Sequence, residues 1–154
     1  MTDAAAGNAA PVLTSREAIL ATQDLPTETV LVPEWGGAVL VRGLTGKERD
    51  DYEAGIMVSR RDGATGKLTQ TMNLANVRAR LVVRSVVDQA GKRIFADGDA
   101  EMLGDKSAAA VARVFDVAQR LSGMRPEDLD ELVGKSAPGP VDASPSASPG
   151  SSAA

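Results

Sequence analysis

The sequence predicts an α+β domain, mainly α-helical, with a small β-hairpin packed on a bundle of about four to five helices between disordered termini. Three observations carry this expectation. Residues 24–52 hold two short Val/Leu runs around a Trp35-Gly36-Gly37 turn and lead directly into a capped helix. Further along, apolar residues recur every three or four positions, as one face of an α-helix requires. Residues 1–12 are rich in Ala, Gly, Asn and Pro, and residues 135–154 are almost wholly Ser, Pro, Ala and Gly. Neither end carries enough large apolar side chains to offset the entropy of ordering. The expected organisation is a disordered segment at 1–12, one domain at 13–134 with its hairpin at 28–42, and a disordered tail at 135–154.

The elements follow in order. Thr14 and Glu17 fit a capping box, which starts a short helix through Ala18–Ala21. Asp24-Leu25-Pro26 ends it, because a residue before Pro avoids helical dihedrals. Val30 and Val32 share one strand face and Leu31 points the other way. Pro33 removes a ladder donor, so this strand is an edge or ends there. The turn glycines supply positive φ. On the return strand, Val39 and Val41 face one side, with Leu40 and Arg42 opposite.

Thr45 and Glu48 form a second capping box, and the helix it opens carries Tyr52, Ile56, Met57 and Val58. Residues 60–71 are polar and glycine-bearing and read as a mobile loop. Asn73 is expected to cap a longer helix through Val87, with a broad apolar surface. Asp88-Gln-Ala-Gly91 makes a turn, Arg93-Ile94-Phe95 an extended piece, and Asp99–Leu103 one or two helical turns stopped by Gly104. Ser107 caps an amphipathic helix that ends near Gly123. Pro126 suits the start of a last helix, with Leu129, Leu132 and Val133 inward.

Composition narrows the chemistry. Aromatics are 3% of the chain, so Ala, Val and Leu must do most of the packing. The net charge is −4, whereas a nucleic-acid binder needs a basic face to neutralise phosphates. Arg78, Arg80 and Arg84 are the one local concentration of arginine and read as a solvated or ion-paired helix face. No nucleic-acid partner is expected. Cys is absent, which excludes disulfides and thiolate metal sites and fits a reducing compartment. No run of about 18 apolar residues exists, so no membrane partner is expected. The N-terminus lacks the basic and apolar regions of a secretory signal.

His is absent as well. That removes the commonest general base, the His-dependent nucleophile arrangements and imidazole ligands. Asp97-Gly-Asp99-Ala-Glu101 resembles the start of a calcium loop, but position six is Met102 and position twelve is Ala108, where Gly and a carboxylate are required. Gly43-Leu-Thr-Gly46-Lys47 lacks the spacer of a phosphate loop and has Glu48 where Ser or Thr is needed. The acids Glu127, Asp128, Asp130 and Glu131 suit the first turn and wet side of a helix. No catalytic, metal or cofactor-binding residue is assigned, and no cofactor is expected.

Partner surfaces remain. Trp35 at the hairpin tip either anchors a partner or plugs the open end of a small core. The plug is the preferred reading in a chain with so few large apolar groups. Leu74, Val77 and Leu81 on one helix, and Val111, Val114, Phe115 and Ala118 on another, either pack together or leave a stripe for a partner helix.

The runs Leu13-Thr-Ser-Arg-Glu-Ala-Ile-Leu, Asp24-Leu-Pro-Thr-Glu, Val32-Pro-Glu-Trp-Gly-Gly and Val41-Arg-Gly-Leu-Thr-Gly-Lys-Glu-Arg-Asp resemble the tail assembly chaperones of long-tailed, siphovirus-type bacteriophages and prophages. Later segments agree: Arg78-Ala-Arg-Leu-Val, Val87-Asp-Gln-Ala-Gly-Lys-Arg-Ile-Phe, and the run from Leu103 to Gly123. The resemblance spans about residues 13–133. It implies a non-enzymatic protein of the host bacterial cytoplasm that binds the tape measure protein, keeps it soluble and promotes tail tube assembly. It further implies contact with the major tail tube protein, a frameshifted longer form as partner, and absence from the mature virion. A structural minor tail protein retained in the virion is the alternative, and a small carboxylate-dependent hydrolase a more distant one.

Overall fold

The computed structural model describes residues 9–128 and residue 131. The expectations for residues 1–8, for Leu129, Leu132 and Val133, and for the tail from residue 135 lie outside the described residues. The first helix, α1 (Arg16–Leu20), starts one residue later than expected. Ser15, not Thr14, is its N-cap, because the Ser15 hydroxyl is the one that reaches the Ala18 N–H, at 3.2 Å. This helix buries none of its residues.

The hairpin forms as its sequence requires. Strands β1 (Thr27–Val32) and β2 (Gly37–Arg42) pair antiparallel, from Thr27 opposite Arg42 to Val32 opposite Gly37. Val30 and Val32 point into the core, while Leu31 is 66% exposed. Pro33–Trp35 makes a single 3-10 turn, closed by Gly36 at φ 77°, which an L side chain rarely adopts.

Helix α2 (Gly46–Ile56) carries the capping box: Thr45 Oγ1 accepts from the Glu48 N–H at 3.1 Å, and the Glu48 carboxylate accepts from the Thr45 N–H at 2.9 Å. The helix stops at Ile56. Met57 and Val58, expected to continue it, open strand β3 (Met57–Arg61), which pairs with β4 (Leu68–Met72). Residues 60–71 are therefore a second hairpin and not a mobile loop. Its turn is fixed by Asp62, whose carboxylate accepts from the Ala64 N–H and the Thr65 hydroxyl, both at 2.9 Å, and whose own N–H donates to the Lys67 carbonyl. The threonines that made the segment look merely polar are good strand residues.

Helix α3 (Val77–Ser85) is shorter than expected at both ends. Asn73 uses its side chain in a local turn, accepting from the Ala75 N–H at 3.1 Å, and Asn76, at φ 52°, is the residue that enters the helix. Leu74 therefore lies outside it. At the other end Val86 and Val87 leave the helix and form β5 (Val86–Val87), which pairs with β2 through Val41 and Leu40. Two β-branched residues gain a sheet edge and complete burial there. The sheet order is β1-β2-β5, so β1 is the edge that Pro33 predicts.

Beyond the Asp88–Gly91 turn, Arg93 bridges back to Val87. A 3-10 turn at Asp97–Asp99 then leads into α4 (Ala100–Gly104). Ser107 caps α5 (Ala108–Leu121), and Gly123 at φ 67° closes it. Residues 126–128 turn helical again after Pro126. The core joins the inner face of the sheet to α2, α3 and α5 and is built mainly of Val, Leu and Ala, with Ile56, Tyr52, Phe115 and Met124 among them.

Candidate functional site

The arginines of α3 are structural. Arg80 donates to the Gly55 carbonyl at 2.9 Å and to the Asn73 carbonyl at 2.5 Å, tying the end of α2 to the start of α3. Arg84 donates to the Arg80 carbonyl at 2.9 Å and stands 3.9 Å from Asp97. Arg78 lies 5.8 Å from the centre of the Phe115 ring, within the range of a cation–π contact. Arg42 donates from its Nη2 to both carboxylate oxygens of Glu48, at 2.7 and 2.9 Å, so one carboxylate both caps α2 and holds the end of β2.

Two further pairs fasten the hairpin to α5. Arg113 forks onto Glu34 at 2.7 and 2.9 Å, and Arg120 meets Glu28 at 2.5 Å. The Arg113 guanidinium holds the Glu34 carboxyl down at about 2. The hydroxyl of Tyr52 donates to the Val77 carbonyl at 3.1 Å, and burial pushes that phenol up to about 12. Asp97 is held low by its 2.6 Å bond to Arg93, and Asp99 accepts from the Ala96 N–H at 2.8 Å. Two of the three acids in the calcium-like run, Asp97 and Asp99, are thus used in local structure. Among the described residues no cluster of three metal-ligating side chains exists.

One surface cleft is mainly apolar. A groove of about 570 Å³ is lined by Trp35, Phe95, Met102 and Leu103, with Asp99, Asp105 and Lys106 around them. Trp35 comes from the hairpin tip, Phe95 from the extended piece, and Met102 and Leu103 from α4. Leu103 is the buried floor, whereas Met102 is 71% exposed. Half of the chain's four aromatic side chains are spent here. The Trp35 Nε1–H is covered and has no acceptor among the described residues.

A smaller groove of about 360 Å³ lies between the start of α3 and the start of α5, and Lys106 lines both grooves. Leu74, Val77 and Val111 meet there. The remaining residues predicted on those helices, Leu81, Val114, Phe115 and Ala118, are buried in the core. Val77 and Val111 are also buried, so of the residues predicted there only Leu74, 43% exposed, is open to solvent. Trp35 packs against the core, as the plug reading expects, and its other side lines the larger groove. Met102 and Phe95 were missed. Their signal was two large apolar groups in an acidic stretch with no helical period to explain them.

The fold and its surface define a small α+β domain with an apolar groove at its surface. A family model for the phage tail assembly chaperone matches residues 14–135, and the chain belongs to that family. Chaperones of this family are in general non-enzymatic. Neither the curated proteins nor the solved structures contain a match.

Proposed function

We propose that this chain binds the tape measure protein in the host bacterial cytoplasm, keeps it soluble, promotes assembly of the tail tube and is absent from the finished virion. The observation that carries this reading is the Trp35–Phe95–Met102 groove. It exposes large apolar side chains on a chain poor in them, and it lies on a member of an assembly chaperone family. An exposed apolar groove suits the apolar face of a client helix. The smaller groove at Leu74 extends the surface toward the face first assigned from sequence. Major tail tube protein and a frameshifted longer form of the chain are the further partners of this scheme.

Co-expression with the tape measure protein of the same genome tests it. Tape measure protein should enter the soluble fraction and co-purify with the wild-type chain, and should fail to do so with Met102→Asp. Equal solubility without the chaperone refutes the reading. Mass spectrometry of purified particles separates it from a retained minor tail protein, which would be found there at fixed stoichiometry.

A further inference from the structure

The smaller groove does not share the charge of the chain around it. The sequence carries 17 cations and 21 acids, yet this cleft is lined by Arg78 and Lys106 and by no acid. Apart from Asn76, the rest of its lining is apolar, with Leu74, Val77 and Val111 among it. α3 and α5 both begin here, and neither has an acid in its first turn. Arg78 and Lys106 form no ion pair among the described residues, whereas eight other arginines do. Both are exposed, so a carboxylate from outside can reach them.

The two cations are placed, not merely present. Arg78 lies over the Phe115 ring at 5.8 Å, which restricts its guanidinium and leaves the planar fork for a carboxylate. Lys106 stands between the clefts, since it lines both. Its N–H donates to the Leu103 carbonyl at 3.1 Å. Two residues earlier, Gly104 lies so close to the Asn76 side chain that a Cβ would collide with it. The ridge that carries Lys106 is thereby held against the start of α3. Beyond the ridge, Asp99 and Asp105 border the larger groove, so an acid on a bound segment is favoured at the smaller cleft and opposed at the larger.

We infer that the smaller groove is a carboxylate subsite for the client. A client helix that seats one apolar side chain against Trp35, Phe95 and Met102 lays a Glu or Asp on Lys106 and Arg78, and a further apolar side chain on Leu74. The inference rests on the client reading above and names what the client must carry: an amphipathic helix with an acid between two apolar positions of one face. A helix with Lys at that position meets like charge and is rejected, which is how such a surface discriminates among apolar helices.

The test uses the tape measure protein of the same genome, co-expressed with the full chain. A water-soluble carbodiimide joins an amine to a carboxylate in direct contact and adds no spacer. Applied to the purified complex, it should leave Lys106 joined to an Asp or Glu of the tape measure protein, read by mass spectrometry. Lys106→Glu, with an unchanged circular dichroism melt, should weaken capture by about tenfold, and R78E/K106E further. Changing the cross-linked acid to Lys should weaken capture by the wild type and restore it with Lys106→Glu. If the wild type captures no tape measure protein, the client reading and this inference fall together. If R78E/K106E captures as well as wild type, the client reading stands and this inference fails. A Lys106 cross-link found only to acids of this chain also overturns it. So does loss of wild-type capture after nuclease treatment, which would assign the cations to a nucleic-acid bridge.

Discussion

Two glycines three residues apart should respond oppositely to the same substitution. A Cβ on Gly43 would collide with the Leu121 carbonyl oxygen, lie 3.0 Å from its carbonyl carbon, and stand 3.3 Å from the Pro26 ring. Ordinary contact between such atoms begins at about 3.5 Å, so the α5 terminus must retreat by roughly 1 Å. It is not free to move. Ser122, the next residue, accepts the Leu44 N–H on its hydroxyl at 2.9 Å, and Gly43 donates its own N–H to the Pro26 carbonyl at 2.9 Å. Overpacking of this kind costs about 1–3 kcal/mol. Loss of unfolded-chain freedom on replacing Gly with Ala returns about 0.4–1 kcal/mol. Gly43→Ala should therefore destabilise by about 1–2 kcal/mol, a fall in Tm of about 4–8 °C for a domain of this size. Gly46 opens α2 and has nothing within 4 Å of its Cβ position. Gly46→Ala should stabilise by about 0.5 kcal/mol through helix preference and the same unfolded-state effect. Thermal and urea melts of both variants are the assay. Shifts of the same sign, or a neutral Gly43→Ala, would refute the claim that the β2–α2 connection is clamped against the end of α5.

Three further outcomes follow from the same structure. Glu34 is held at about 2, against 4.5 for a free carboxyl, so its pair with Arg113 adds stability above pH 4.5 that is lost as pH falls toward 2. The urea midpoint of the wild type should drop across that window more steeply than that of Glu34→Gln, by a small, salt-sensitive amount because the pair is partly exposed. Tyr52→Phe should cost about 1 kcal/mol through the lost bond to the Val77 carbonyl. In the wild type, stability should be full below pH 10 and fall as pH rises from 10 to 12, where absorbance near the ultraviolet phenolate band should report the delayed ionisation. Met102→Asp should leave the melt within about 0.5 kcal/mol of wild type, as exposed substitutions do, while removing client capture in the co-purification assay.

Local signals were legible wherever chain neighbours alone decide the structure. Thr45 with Glu48, Ser107, Pro33, Gly36 and Gly123 each act within a few residues, and each takes the role its chemistry suggests. Two local readings slipped, with Ser15 capping α1 in place of Thr14 and Asn76 entering α3 in place of Asn73, and the larger errors fall where a distant partner decides. Val86 and Val87 fit a helical stripe as well as a strand, and the vacant edge of β2, more than forty residues upstream, selects the strand. Thr69 and Thr71 look like loop residues until β3 supplies a partner and Asp62 closes the turn. The candidate site was harder still. Helical period found the α3–α5 seam, whose residues are alike in sequence whether they face a neighbour or a client. The larger groove draws one side from a hairpin tip and the other from α4, some sixty residues later, and no spacing rule joins Trp35 to Met102.

The division of side chains between interior and surface carries a consequence for binding. The interior closes mostly with Val, Ala and Leu, and carbonyls near the ends of α2 and α3 are satisfied by Arg80 and Tyr52. Such a core leaves Trp35 and Phe95 at the groove, where each offers more apolar contact than the Val, Ala and Leu that make up most of the core. Leu103 anchors the groove from below, so its shape is fixed by the same packing that holds α4 on α3. Folding and recognition then meet at Leu103 and separate at Met102. Truncating the buried Leu103 should lower stability and capture together, whereas changing the exposed Met102 should lower capture alone. A groove formed merely by loosely packed surface residues would show no such difference, and equal behaviour of the two variants in melting and in capture would remove the groove from consideration as a built binding surface.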